Sequence, residues 1–236
     1  MSDTPVIYAI GDIHGERMRL WELHEKIVAH HLKLFRGAPL KLIHLGDYVD
    51  RGPDSAGVIE LLMSLEKRTN IQVVNLRGNH EQMMSEAHGE FASEFHLHWL
   101  TNGGDATVES YITRGLDKPP EAHLEWIKGL PTMHLEHDRK LAFVHAGVDP
   151  RTFPYSGEDI HMWTRSRRFF DTRQWENGPL DGWTVVHGHT PTDDFKPELD
   201  GKPTRRFNLD TGAVYGGHLT AGVFAPGVET VDFLFS

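Results

Sequence analysis

The chain has 236 residues, 39% of them hydrophobic and 25% charged, with no cysteine and a formal net charge of -10. That composition describes an ordinary globular protein able to bury a sizeable core, and the missing cysteines exclude disulfides and thiolate metal sites. The acidic balance argues against general binding to nucleic acid or anionic membranes, which attract basic surfaces.

The opening residues, MSDTPVIYAIGD, hold neither a basic stretch nor a long apolar one, and no membrane-length apolar run follows. The expected location is therefore the cytoplasm. VIYAI reads as a buried strand ending in Gly11-Asp12-Ile13-His14-Gly15. From Glu16 to about Phe35, Leu20, Leu23, Ile27 and Leu34 recur at helical spacing and give one apolar face. LIHL is the next strand, ending in Gly46-Asp47, and Pro53 suits the first turn of the helix that follows, running to about Arg68. IQVVNL then leads into Arg77-Gly78-Asn79-His80-Glu81, with a third helix starting near Asn79. This β-α-β-α-β order predicts a mostly parallel sheet.

Residues 88 to 130 read as short helices, and strands follow. MHLEHDRKLAFVH predicts a hairpin around His137-Asp138-Arg139, and HLTAGVFAPGVETVDFLF another turning at Pro226-Gly227. Between them WTVV leads into His187-Gly188-His189-Thr190-Pro191, while 149–159 and 193–204 read as loops. No linker divides the chain, so residues 1–236 are expected to form a single layered α/β domain.

The recurring feature is a strand that ends in Gly, Asp, Asn or His. Open α/β sheets bind ligands beyond the carboxyl ends of their strands, so these clusters are expected at one rim. Asp12, His14, Asp47, Asp50, Asn79, His80, His145, His187 and His189 supply carboxylates, imidazoles and an amide. That donor set suits manganese, iron or zinc, whereas calcium and magnesium prefer oxygen alone. Asp12 and His14 are two apart on a strand end and project to one face. Asn79, His145 and His189 could hold a second ion, with Asp47 between the two. Such a pair generates a bridging hydroxide and clamps a phosphoryl group for in-line attack. Arg51 is a fork for phosphate oxygens, and a second fork comes from Arg165-Ser166-Arg167-Arg168. Taken singly, each cluster is weak: Asp50 and Arg51 could be a surface ion pair, and a lone buried His is usually a satisfied core residue. Their coincidence after five strands carries the argument.

These motifs, Gly11 to Gly15, Gly46-Asp47-Tyr48-Val49-Asp50-Arg51-Gly52, Arg77 to Glu81, His145-Ala146-Gly147 and Gly188-His189-Thr190, resemble the signature of the PPP-type metallophosphoesterases, in the family's order. Glu81-Gln82-Met83-Met84, Asn102-Gly103-Gly104 and Asp210-Thr211-Gly212-Ala213-Val214 are similar to the bacteriophage lambda phosphatase branch. His145-Ala146 departs from the His-Gly-Gly of eukaryotic relatives. The resemblance implies a four-layer α/β/β/α sandwich with a dinuclear metal site at the strand C-terminal rim. It places one ion on Asp12, His14 and Asp47, and the other on Asp47, Asn79, His145 and His189 (preferred to His187). It makes His80 the acid, Asp50 its partner, and Arg51 and Arg165 the phosphate-binding arginines. Tyr215 resembles a tyrosine bordering the cleft in eukaryotic relatives, where the phage branch has Phe.

The expected cofactors are two divalent ions, manganese first, with iron or zinc as alternatives. The expected substrate is a phosphoprotein or a small phosphorylated molecule, through hydrolysis of phosphoserine or phosphothreonine esters. Dinucleoside polyphosphate hydrolysis is the alternative. Against it, the symmetrically cleaving relatives usually carry Ala at the position of Asp50 and Asp at that of Glu81. A catalytically silent metal-binding scaffold is the remote alternative, since such proteins typically lack the acid or some ligands.

Overall fold

The computed structural model describes residues 4–90, 92–228 and 231–236. Met1 to Asp3 of the leading segment, and Glu229-Thr230 in the last hairpin, lie outside the described residues. Among the described residues ten strands form two five-stranded sheets. The first contains β1 (Val6–Ile10), β2 (Leu40–His44), β3 (Gln72–Asn75), β9 (Thr220–Phe224) and β10 (Asp232–Phe235), in the order β10-β9-β1-β2-β3. The second contains β4 (Met133–Glu136), β5 (Leu141–Val144), β6 (Thr184–His187), β7 (Glu198–Asp200) and β8 (Arg206–Asn208), in the order β4-β5-β6-β8-β7. Three strands run parallel in each sheet, β1-β2-β3 and β5-β6-β8; antiparallel β9 and β10 flank the first trio on one side and leave β3 at the other edge, whereas antiparallel β4 and β7 close both edges of the second.

Alternation along β1 shows how the layers assemble. Val6, Tyr8 and Ile10 face a core shared with α1 (Arg17–Leu34), α2 (Ser55–Glu66), α3 (Asn79–Ala87), α5 (Asp105–Ile112) and α6 (Glu121–Gly129). Ile7 and Ala9 face the other way and pack with Ile43, Phe143, Val186 and Phe207 between the sheets. The outer face of the second sheet, with Ala142, Val144 and Val185, is covered by Phe153, Phe169, Trp175 and Leu180. Phe169 belongs to α8 (Arg167–Phe170), which follows α7 (Glu158–Trp163). The result is the expected α/β/β/α sandwich. Full burial of both faces explains why β1 is apolar at every position.

The structure differs from the sequence reading in three places. Pro53 precedes α2 rather than opening it: Asp54 is the cap, its carboxylate accepting the Gly57 N–H at 2.9 Å. The stretch 193–204 is not wholly loop, because β7 pairs with β8 as an edge strand. β8 itself has three residues and opens on Arg206, so no apolar run announces it. Arg206 is nonetheless buried, bonded to Glu198 at 2.6 Å and His187 at 3.0 Å and stacked on Phe170.

Candidate metal centre and active site

β1, β2 and β3 end at Ile10, His44 and Asn75, and β5 and β6 at Val144 and His187. The residues just beyond these ends converge where the two sheets meet. Several sit in left-handed backbone, with φ of 45° at His14, 53° at Asp47, 71° at Asp50, 68° at Arg51 and 71° at His189. Non-glycine residues rarely adopt this conformation, and such strain concentrates at functional sites. Glu81 helps hold it. Its buried carboxylate accepts the backbone N–H groups of Asp47 (2.8 Å), Tyr48 (2.7 Å), Val49 (3.3 Å) and Gly78 (2.9 Å), tying the turn after β2 to the start of α3.

Two donor sets share Asp47. His14, Asp47 and His80 present atoms within 4.8 Å of one another, and so do Asp47, His145 and His189. One Asp47 oxygen lies 3.5 Å from His14 Nε2 and the other 3.3 Å from His145 Nε2. His14 and His145 each bond a backbone carbonyl through Nδ1, Val49 O at 2.8 Å and Leu45 O at 2.9 Å. This turns each Nε2 towards Asp47, the usual orientation of a metal-binding imidazole. Asn79 Oδ1 lies 2.9 Å from both His145 Nε2 and His189 Nδ1.

The electrostatics call for positive charge. Burial, then the neighbouring Asp210 carboxylate, pushes Asp12 well above the usual carboxylate range. Burial lowers His14 to about 3 and His189 to about 3, leaving neutral imidazoles with lone pairs to donate. His145 goes the other way: Asp47 overcomes burial and raises it to about 10, so a proton supplies there what a cation would. Buried carboxylates and lone pairs converging in this way fit divalent ions. Asp12 stands outside both close sets but adjoins them, its carboxylate accepting the His189 backbone N–H at 3.0 Å and 3.1 Å.

His80 is buried beside these donors, its ring 4.7 Å from that of His14. His80 Nδ1 lies 2.7 Å from Asp50 Oδ2. Burial lowers His80 to about 4 and raises Asp50 to about 8, so the pair holds one proton across the neutral range. Arg51 is half-buried and donates to His14 Nε2 at 2.6 Å. Arg165 is exposed, near enough to His189 for its charge to help lower that imidazole. Tyr215, 52% exposed, lies under the Arg51 guanidinium at 5.7 Å. Trp163 packs edge-on to His189 and donates to Gln82 Oε1 at 2.8 Å. His187 points away from the donors, to Arg206 and the Phe169 and Phe170 rings.

The sequence reading assigned no part to Trp99, Thr107 or Asp210. Trp99 Nε1 donates to both Asp50 oxygens, at 3.0 Å and 3.1 Å, and Thr107 Oγ1 donates to Oδ1 at 2.7 Å. They come from α4 (Ala92–Trp99) and α5, about fifty residues on in the chain, with no local pattern to mark them. Asp210 carried a signal in its Asp-Thr-Gly run. Burial raises it to about 6.

Strand-end carboxylates and imidazoles in two sets sharing Asp47, beside a histidine–aspartate pair and two arginines, define a metal-dependent phosphoesterase. The chain belongs to the calcineurin-like phosphoesterase family, whose sequence model matches residues 5–220. It is 31% identical over 225 residues to serine/threonine-protein phosphatase 1 of Salmonella typhimurium, covering 91% of this chain and 89% of that one. It is 30% identical over 231 residues to the asymmetrical bis(5'-nucleosyl)-tetraphosphatase PrpE of Geobacillus thermodenitrificans, covering 90% and 87%. Among solved structures, a serine/threonine phosphatase from Saccharomyces cerevisiae shares the fold at a TM-score of 0.61, with 17% identity over 99% of this chain and 80% of that one.

Proposed function

We propose that this metallophosphoesterase hydrolyses phosphoserine and phosphothreonine esters. The observation that carries this reading is the buried His80–Asp50 pair beside the metal donors. A serine or threonine alkoxide leaves only with a proton, whereas a phosphoanhydride needs little help. His80, with Asp50 behind it, is placed to give that proton to the leaving oxygen. Asp12, His14 and Asp47 would hold one ion, and Asp47, Asn79, His145 and His189 the other. A nitrogen–oxygen donor set of this kind suits manganese, with iron or zinc as alternatives. When bound, the ions supply Lewis-acid charge and activate water. Arg51 and Arg165 would grip the phosphoryl oxygens and balance their charge as the bond to the leaving oxygen breaks.

Dinucleoside polyphosphate hydrolysis is the second reading. It is favoured by the PrpE relatives and by two exposed aromatic rings at the rim, Tyr215 and Trp163, on which a base could stack. The test is kcat/KM with added manganese for a phosphothreonine peptide and for diadenosine tetraphosphate. The proposal requires a clear excess for the peptide. An excess for the dinucleotide would make this a nucleotide hydrolase despite Asp50 and Glu81.

A further inference from the structure

We infer that Trp99 is a positioning residue, whose indole N–H fixes the Asp50 carboxylate against His80, and that the turn following it holds Arg51. The inference rests on the reading of His80 as the acid.

Asp50 is fully buried, and His80 is its one ion-pair partner among the described residues. An isolated carboxylate of this kind can rotate about its own axis and lose the partner geometry. Here the Trp99 N–H is shared almost equally between the two oxygens, at 3.0 Å and 3.1 Å. A donor shared in this way holds the carboxylate head in place, and Thr107, taking Oδ1 at 2.7 Å, sets its rotation and leaves Oδ2 to His80. The Asp50 backbone is held as well, its N–H donating to Thr107 Oγ1 at 2.8 Å and Ser55 Oγ at 3.0 Å.

The chain leaves Trp99 through Leu100–Gly104, where it kinks between α4 and α5 instead of continuing as helix. At Gly103 φ is 102°, and the Gly103 carbonyl accepts the Arg51 N–H at 2.9 Å. A Cβ on Gly103 would stand 2.6 Å from Arg51 Cγ, and one on Gly104 would stand 2.5 Å from the Trp99 ring. Trp99 and the turn after it thus brace Asp50 and Arg51, Asp50 through the indole N–H and Arg51 through the Gly103 carbonyl. A buried indole N–H needs an acceptor in either case; a tryptophan serving only to fill the core would leave proton donation by His80 unaffected when that N–H is removed.

That difference is the test. Trp99→Phe keeps the buried ring and removes the N–H. With manganese present, kcat is measured on a phosphothreonine peptide and on p-nitrophenyl phosphate, whose leaving group departs without a proton. The expected loss on the peptide is roughly tenfold or more, the effect of removing one hydrogen bond to a charged group, with little change on the aryl ester. In a His80→Asn background the same substitution should add nothing, because the two residues act as one unit. Equal losses on both esters, no loss on either, or additivity with His80→Asn would each overturn the inference. Should Trp99→Phe fail to fold, Thr107→Val carries the same comparison, with Thr107→Ser expected to restore the peptide rate. Wild-type protein inactive on both esters would overturn the underlying reading and the inference with it.

Discussion

Replacing Glu81 by Gln perturbs the site without replacing a proposed metal ligand. Each Glu81 oxygen accepts two backbone N–H groups: Oε2 those of Asp47 and Gly78, Oε1 those of Tyr48 and Val49. Either orientation of a glutamine amide sets its NH2 against two of these donors. Hydrogen bonds to a charged group contribute about 1.5–3 kcal/mol each, so the gross loss is about 3–6 kcal/mol. Part is recovered, because burial, then the Asp47 charge, already raises Glu81 to about 7 and the neutral amide relieves that strain. A net destabilisation of about 3 kcal/mol is expected, a large share of the ~5–15 kcal/mol typical of a domain. Urea unfolding of the chelator-treated protein measures it, and elemental analysis after manganese loading shows whether Asp47 still presents both oxygens. Unfolding within about 0.5 kcal/mol of wild type, the range of an ordinary surface substitution, together with full metal content, would refute the reasoning.

Asp47→Asn should leave fewer than two ions bound by elemental analysis, since the two oxygens face different donor sets. His80→Asn should lower kcat on a phosphothreonine peptide by about 10²–10⁴-fold while metal content stays intact; unchanged turnover would remove His80 from the chemistry. A third expectation concerns the His24–His44 pair, whose Nε2 atoms lie 3.0 Å apart between α1 and β2. Burial lowers His24 to about 4 and His44 well below its ordinary value. The unfolded chain therefore binds protons first, and stability falls as pH drops from about 6.5 towards 4. The urea midpoint followed from pH 7.5 to 5 should decline less steeply in His24→Gln than in wild type; equal slopes would contradict the assignment.

Most of the residues named from sequence could be picked out because they follow a strand within a few positions; Arg165, between α7 and α8, follows none and was named from a basic stretch and the resemblance. The apolar run and the Gly, Asp, Asn or His ending it occupy a few adjacent positions, and parallel strands carry those endings to one rim. Trp99 and Thr107 escaped because their contacts with Asp50 span 49 and 57 residues and arise only when α4 and α5 fold back over the second motif. β8 escaped for another reason. The burial of Arg206 depends on Glu198, His187 and Phe170, so its charge reads as surface until those partners are placed. Pro53 and Asp54 compete for one boundary, and the side chain able to cap α2 takes it.

The proposed donors come from both halves of the sandwich: Asp12, His14, Asp47 and Asn79 follow strands of the first sheet, and His145 and His189 follow strands of the second. An ion seated among them would fasten the sheets together as a rivet does two plates. Occupancy then enters the folding equilibrium itself, adding about 2.7 kcal/mol when free ion stands a hundredfold above its dissociation constant. A cell short of the metal would lose the protein as well as its turnover, because the seam between the sheets would open more often to proteases. The supply of one trace element would thus set how long each copy survives.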